Sequence, residues 1–187
     1  ICNENPDLLT SEIIVVDDCS SDDTAAIVTR IAQNDRRVRL IRHKVNKGAY
    51  GARNTGIRAS RGKYLAFQDA DDFSMPKRIE YQLIPLCLGK AQFTMSRIVR
   101  SKMTPEMFDN IGPEKMAELL IDDFEESNRY SRNGPEFQKI GYISTMVDRR
   151  LFEELGLFWI NRFGSDAEFI ERILFRKAGV LLPPGVY

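Results

Sequence analysis

The chain has 187 residues, 43% apolar and 29% charged, enough for one domain with a core and ordinary for a globular protein. Its 27 basic residues balance 27 acidic ones, so no global field favours nucleic acid, and no apolar run is long enough to span a bilayer. Three scattered cysteines (Cys2, Cys19, Cys87) and a single His43 exclude a disulfide frame and a histidine-based metal site, and fit free thiols in a reducing compartment.

The chain opens on a polar, turn-like stretch, Ile1 to Pro6, without an initiator Met, which predicts a fragment truncated at its N-terminus. Glu12 to Val16 is a β-branched apolar run without alternation, the pattern of a strand covered on both faces. It ends in Asp17-Asp18. Ser20 and Asp23 have capping-box spacing before a helix over Ala25 to Asn34, with Ile27, Val28 and Ile31 at helical intervals. Val38 to Ile41 predicts a second strand. After Asn46-Lys47-Gly48, the small residues Ala49, Ala52, Gly56 and Ala59 form one narrow helical face suited to close approach to a sheet.

Tyr64 to Phe67 predicts a third strand, ending in Gln68-Asp69-Ala70-Asp71-Asp72. Ser74 and Pro76 suit a helix N-cap and first turn. Ile79, Leu83 and Cys87 continue that helix, with a kink near Pro85. Farther on, Ala91 to Val99 predicts a strand, Met103 to Phe124 short helices, and Ser127 to Gln138 a loop. Tyr142 to Val147 reads as a strand, Arg149 to Leu155 as a helix stopped by Gly156, Ser165 to Lys177 as an amphipathic helix, and Val180 to Leu182 as a last strand. In the amphipathic helix Phe169, Ile170, Ile173 and Leu174 point inward. Alternating strands and helices predict an α/β sheet, whose ligands bind beyond the carboxyl ends of its strands.

Both acidic clusters stand at such ends. Asp69, Asp71 and Asp72 repel one another, and a hard cation such as Mg2+ or Mn2+ relieves that repulsion while compensating a bound diphosphate. The plainer alternative is a solvated acidic loop that caps the next helix. Asp17 and Asp18 are acceptors for a base N–H or ribose hydroxyls, or residues of a helix-capping turn. The Gly48 to Gly56 stretch, with Lys47 and Arg53, is suited to phosphate, although Ala52 and Gly56 in it suit helix packing. Asp166, at a helix start, is a general base for an acceptor hydroxyl or a cap. Arg172 pairs with a carboxylate or is ordinary surface charge. Phe158, Trp159 and Phe163 are a sugar-stacking wall or core.

Three segments in order, Glu12-Ile-Ile-Val-Val-Asp-Asp-Cys-Ser-Ser-Asp-Asp-Thr24, Asn46-Lys-Gly-Ala-Tyr-Gly-Ala-Arg-Asn-Thr-Gly-Ile57 and Gly62-Lys-Tyr-Leu-Ala-Phe-Gln-Asp-Ala-Asp-Asp72, resemble the family 2 glycosyltransferases. Leu151 to Gly156 and Gly164 to Arg172 resemble that family's acceptor-side segment. The resemblance implies a GT-A fold, a Rossmann-like mixed sheet flanked by helices, here lacking its first strand. It implies a single domain over 1–187, with a nucleotide-sugar half (1–100) and an acceptor half (101–187). The implied reaction is metal-dependent, inverting transfer from a nucleotide-diphosphate sugar, a UDP-sugar, to a saccharide or lipid-linked acceptor.

By residue, the resemblance gives Asp17 or Asp18 to the base, Lys47 and Arg53 to the nucleotide and its phosphates, and Asp69 and Asp71, a DxD motif, to ribose and metal. Asp72 shares the Mn2+ or Mg2+. Asp166 is the base that activates the acceptor, although Ser165 replaces the Glu common before it, which leaves Asp166 and Glu168 both open. The processive synthases' Gln-x-x-Arg-Trp motif is absent. The family's commonest setting is polysaccharide assembly in the cytoplasm, with peripheral association at the inner membrane face.

Three alternatives stand beside this one. Val15 to Asp18 and Asp72-Phe-Ser-Met-Pro76 resemble a response-regulator receiver phosphorylated on Asp72, although the late Lys-Pro is not evident. A nucleotidyltransferase of the same fold needs a glycine-rich basic triphosphate loop that the first strand lacks. A non-catalytic sugar-nucleotide-binding domain is the third.

Overall fold

The computed structural model describes residues 11–72, 74, 77–96, 145–160, 164–176 and 179–181. The expectations for 97–144, and those for Pro76, Phe163, Lys177 and Leu182, lie outside these residues; for Leu174 only the backbone is described. The chain divides into two compact units, one of Ile1–Leu65 with Val147–Ala178 and one of Ala66–Met146 with Gly179–Tyr187.

In the first unit, β1 (Ile13–Asp17) pairs in parallel with β2 (Val38–Arg42), Ile13 opposite Val38 and Asp17 opposite Arg42. The run of β-branched residues favours the extended backbone, and the crossover between the strands is α1 (Thr24–Asn34). The expected two-sided cover is incomplete among the described residues: Ile13 is 45% exposed, and on α1 only Val28 is buried while Ile27 and Ile31 face outward. The expected capping box does not form. Asp23 is the N-cap without a side-chain bond, because Ser20 is taken up in a turn where its N–H donates to Asp17 Oδ1 at 2.8 Å.

The helix α2 (Gly48–Ala59) packs on β1, where a methyl added at Gly56 would lie 3.6 Å from Val16. Its buried stripe differs from the small-residue face expected: Gly51, Asn54 and Ile57 are buried and Ala49 is exposed. Gly51 is fixed by sterics, since a Cβ there would fall 2.6 Å from the Lys47 Cβ.

The same unit holds α4 (Arg150–Leu155) and α5 (Ser165–Arg176). Gly156, at φ 80°, ends α4 as expected, because only glycine enters that region without strain. Phe152, Phe158 and Phe169 interlock, with the rings of Phe152 and Phe169 stacked 4.8 Å apart and Ile173 fully buried nearby in the sequence of α5. Large apolar rings of this kind dominate the burial energy of a small core.

The third strand, β3 (Tyr64–Ala66), leads into the second unit, and β5 (Thr145–Asp148) leads back out of it. The second unit contains α3 (Arg78–Cys87), β4 (Phe93–Met95) and β6 (Gly179–Leu181), with β4 and β6 parallel. The strand order is β3-β5-β4-β6. Phe93, Met95, Met146 and Leu86 form its apolar core. The buried stripe of α3 is Arg78, Gln82 and Leu86, spaced four apart, whereas the expected Ile79 is 48% exposed. Ser74 is not the helix cap; Lys77 is. Pro85 falls in the last turn of α3. Among the described residues no helix is long and apolar enough to cross a membrane.

Candidate functional site

In the second unit, the chain leaves β3 and turns at once through Gln68 to Asp72. The Asp72 N–H donates to the Asp69 carbonyl at 3.2 Å, which folds the three aspartates onto one another. Carboxylate oxygens of Asp69, Asp71 and Asp72 all lie within 4.8 Å of one another. Asp71 and Asp72 are exposed and Asp69 is half-buried. Desolvation, then the charges of Asp71 and Asp69, push the Asp72 carboxyl above its ordinary range, against the pull of Arg78. Clustered hard oxygen donors that repel one another match the ligand chemistry of a divalent cation such as Mg2+ or Mn2+.

In the first unit, the turn after β1 carries Asp17 and Asp18. The Asp17 side chain is fully buried. Its Oδ1 accepts the Ser20 N–H, and Arg42 Nε lies 3.0 Å from Oδ2. Bonding to Ser20 first, and the Arg42 charge after it, hold its carboxyl below the usual range. Asp18 is 17% exposed at its side chain. His43 Nδ1 lies 2.6 Å from its Oδ1, and the Lys47 N–H donates to both oxygens at 2.9 and 3.1 Å. Burial opposes ionisation there, but these donors keep its carboxyl low.

The far side of the buried His43 ring meets Thr55 Oγ1 of α2 at 2.9 Å. Asn46 closes the loop by donating to the Asp18 carbonyl at 3.1 Å. The result is a braced corner in which the Asp17-Asp18 turn, the Asn46–Lys47 loop and the start of α2 hold one another. Lys47 itself is exposed, and Arg53 lies over the Tyr50 ring at 5.3 Å.

Asp166 stands in the first turn of α5. The Tyr50 hydroxyl donates to its Oδ1 at 2.9 Å, across 116 residues of sequence. Burial first, then the Asp166 carboxylate, push the Tyr50 phenol above its ordinary range. Glu168, two residues on from Asp166, is held by Arg172 in a two-point pair at 2.5 and 2.8 Å. Arg172 also donates to the Leu157 carbonyl at 2.9 Å and to that of Leu155, tying α5 to the end of α4. Of the aromatic residues, Phe158 is core at 3% exposure, and Trp159 is 58% exposed beside Arg172.

The sequence pattern did not single out four residues that shape these clusters: Tyr50, Asn54, Gln68 and Arg78; it used His43 only to argue against a metal. For Arg78 and Gln82 a signal existed, since two polar residues continue the four-residue spacing of buried Leu86. Tyr50 and Asn54 act through partners remote in sequence, 116 and 104 residues away, whereas Gln68 acts through the turn that follows it.

The glycosyl transferase family 2 model matches residues 1–156. The succinoglycan biosynthesis protein ExoO of Rhizobium meliloti (strain 1021) is 35% identical over 148 residues, covering 78% of this chain and 41% of that protein. Among solved structures, S. aureus TarS in complex with UDP superimposes with a TM-score of 0.65 at 18% identity, covering 92% of this chain and 48% of that one. The mannosyltransferase PcManGT from Pyrobaculum calidifontis, in complex with GDP-Man and Mn2+, gives 0.62 at 21% identity, with 94% and 46% covered. The chain thus spans about half or less of the length of these proteins. The structural likenesses show the fold, a mixed α/β GT-A architecture. They and the family match displace the receiver-domain alternative for Asp72.

Proposed function

The chain belongs to glycosyl transferase family 2, and from that premise we propose that it moves a sugar from a UDP-sugar to a hydroxyl of a saccharide or lipid-linked acceptor, with inversion and with Mn2+ or Mg2+ at Asp69, Asp71 and Asp72. The observation that carries this is the acidic loop after β3, with oxygens of three carboxylates within 4.8 Å. Bound there, the cation supplies Lewis-acid stabilisation of the departing diphosphate. TarS carries UDP and PcManGT carries GDP-Man with Mn2+, which supports a nucleoside-diphosphate donor; uracil as the base is part of the proposal.

Asp69 and Asp71 also serve the ribose. Asp18 is the partly exposed member of its pair and takes the base, while the buried Asp17 braces the turn. Lys47 and Arg53 supply positive charge for the phosphates.

Asp166 receives the acceptor proton. As the O–H bond breaks, the acceptor oxygen bonds to the anomeric carbon on the face opposite the diphosphate, and the bond to the diphosphate breaks with its electron pair. The choice of Asp166 over Glu168 is supported by the Arg172 fork, which occupies Glu168. A lipid-linked acceptor places this reaction at the inner membrane face.

Calorimetry of the intact protein with UDP, with Mn2+ and then with EDTA, tests the donor. Tight binding with Mn2+ that Asp71→Asn removes is the expected result; no binding of any nucleoside diphosphate overturns it. Asp166→Asn is expected to abolish transfer and spare UDP binding, and full retained transfer excludes Asp166 as the base.

A further inference from the structure

We propose that Arg78 is the positioning residue of the acidic loop: from the first turn of α3 its guanidinium grips residues 67–74, so that Asp69, Asp71 and Asp72 are gathered before a cation arrives. This rests on the metal assignment above. Arg78 is only 6% exposed, an uncommon place for a cation. Its planar head is spent on four acceptors. Nε donates to Gln82 Oε1 at 3.0 Å, one terminal nitrogen to Gln68 Oε1 at 2.8 Å and Ser74 Oγ at 2.7 Å, and the other to the Phe67 carbonyl at 2.8 Å.

The grip is passed on in both directions. Gln68 Nε2 donates to the Asp69 carbonyl at 3.1 Å and to the Asp72 carbonyl at 2.8 Å, so one carboxamide spans both ends of the acidic turn. The Ser74 hydroxyl donates to the same Gln68 Oε1, closing a ring with Arg78. Behind Arg78, the fully buried Gln82 is anchored to β4, where the Thr94 hydroxyl donates to its carbonyl at 3.2 Å. A continuous set of hydrogen bonds therefore runs from the core strand β4 through α3 to the backbone of the aspartates.

Charge alone argues the other way. A guanidinium close enough to act on Asp72 repels an incoming cation. If Arg78 mattered only as a charge, removing it would tighten metal binding. If it matters as a four-way fork, removing it loosens the carboxylates and weakens binding, and lysine, a single point donor, cannot replace it. The two roles thus predict opposite signs.

The test measures Mn2+ affinity of the full chain without donor, by electron paramagnetic resonance of free Mn2+, beside circular dichroism and thermal melting. Wild type is expected to bind Mn2+, and Asp71→Asn to lose it. Arg78→Lys, Arg78→Met and Gln68→Ala are each expected to weaken Mn2+ about tenfold or more, the usual cost of losing a group that orients metal ligands. Arg78→Lys unchanged in affinity, or Arg78→Met binding more tightly, overturns the inference while leaving the metal assignment standing. Should the Arg78 variants not fold, Gln68→Ala decides alone, because Gln68 is exposed and the buried Arg78 keeps Gln82, Ser74 and the Phe67 carbonyl as acceptors; unchanged affinity there overturns the inference. Wild type without Mn2+ affinity overturns both.

Discussion

Asn54→Ala tests how the helix α2 fixes the segment that precedes the candidate base. Asn54 is 2% exposed, and its carboxamide closes a two-point bridge to the backbone of one residue 104 positions away: Nδ2 donates to the Phe158 carbonyl at 2.8 Å and Oδ1 accepts the Phe158 N–H at 3.0 Å. Alanine withdraws both bonds from buried backbone groups. Each loss costs about 1–2 kcal/mol, so the expected total is about 3 kcal/mol, a large share of the stability of an ordinary domain. Guanidinium denaturation followed by circular dichroism measures it, with the midpoint falling at an unchanged slope. Asn54→Asp sharpens the test. It keeps the size and the acceptor but sets a carboxylate oxygen against the Phe158 carbonyl, and is expected to cost at least as much as alanine. A loss below about 1 kcal/mol in both variants would refute the reasoning, since it would mean that these bonds are replaced at no cost.

Other outcomes follow from features of the first unit. Cys19 adopts φ 72° with its side chain exposed. Cys19→Gly is therefore expected to raise stability by about 0.5–1 kcal/mol, read as a higher melting temperature, and a lower one refutes the strain. Asp17 is held low by Ser20 and Arg42, Asp148 by its two-point pair with Arg150, and half-buried Asp35 is lowered to about 2 by Arg37. Because folded values lie below unfolded ones, the contribution is complete above the unfolded range of about 4. It is lost as pH falls through the folded values. Arg150→Met is expected to flatten the acid limb of stability against pH, and an unchanged limb refutes the Asp148 share. Tyr50→Phe deletes the hydroxyl that orients Asp166; a several-fold lower kcat with UDP affinity unchanged is expected, and an unaltered kcat counts against it.

The sequence pattern reaches the elements whose signal is local. The apolar run before Asp17 announces β1, Gly156 announces the end of α4, and Phe169 and Ile173 announce the buried side of α5. It fails where the partner is distant or where another nearby bond outcompetes the cap. Ser74 has cap chemistry, but Arg78 and Gln68 take its hydroxyl. Ser20 has cap spacing, but Asp17 takes its N–H. The helical interval of Ile79 and Leu83 is genuine, yet the buried stripe is the neighbouring one of Arg78, Gln82 and Leu86, in which the guanidinium bonds to Gln82, Gln68, Ser74 and the Phe67 carbonyl. At the candidate site the acidic residues are visible one by one. The scaffolding beneath them, Tyr50 under Asp166 and His43 under Asp18, is not, since such bonds span 25 to 116 residues.

The pairing of β1 with β2 has a consequence for how the chain finds its alignment while folding. Asp17 lies opposite Arg42 at the last rung of the parallel ladder, with its carboxylate fully buried and the guanidinium 3.0 Å away. Slide one strand by a single residue and Ile41 or His43 takes that rung, while every side chain of the moved strand turns to the opposite face. The carboxylate would then lose the counter-ion that faces it across the ladder, which disfavours the shifted register. Two strands this short, with a first strand of four apolar residues before Asp17, would otherwise tolerate several offsets. One ion pair at their end acts as a gauge that accepts a single offset, and that offset is the one that delivers Asp18 beside His43.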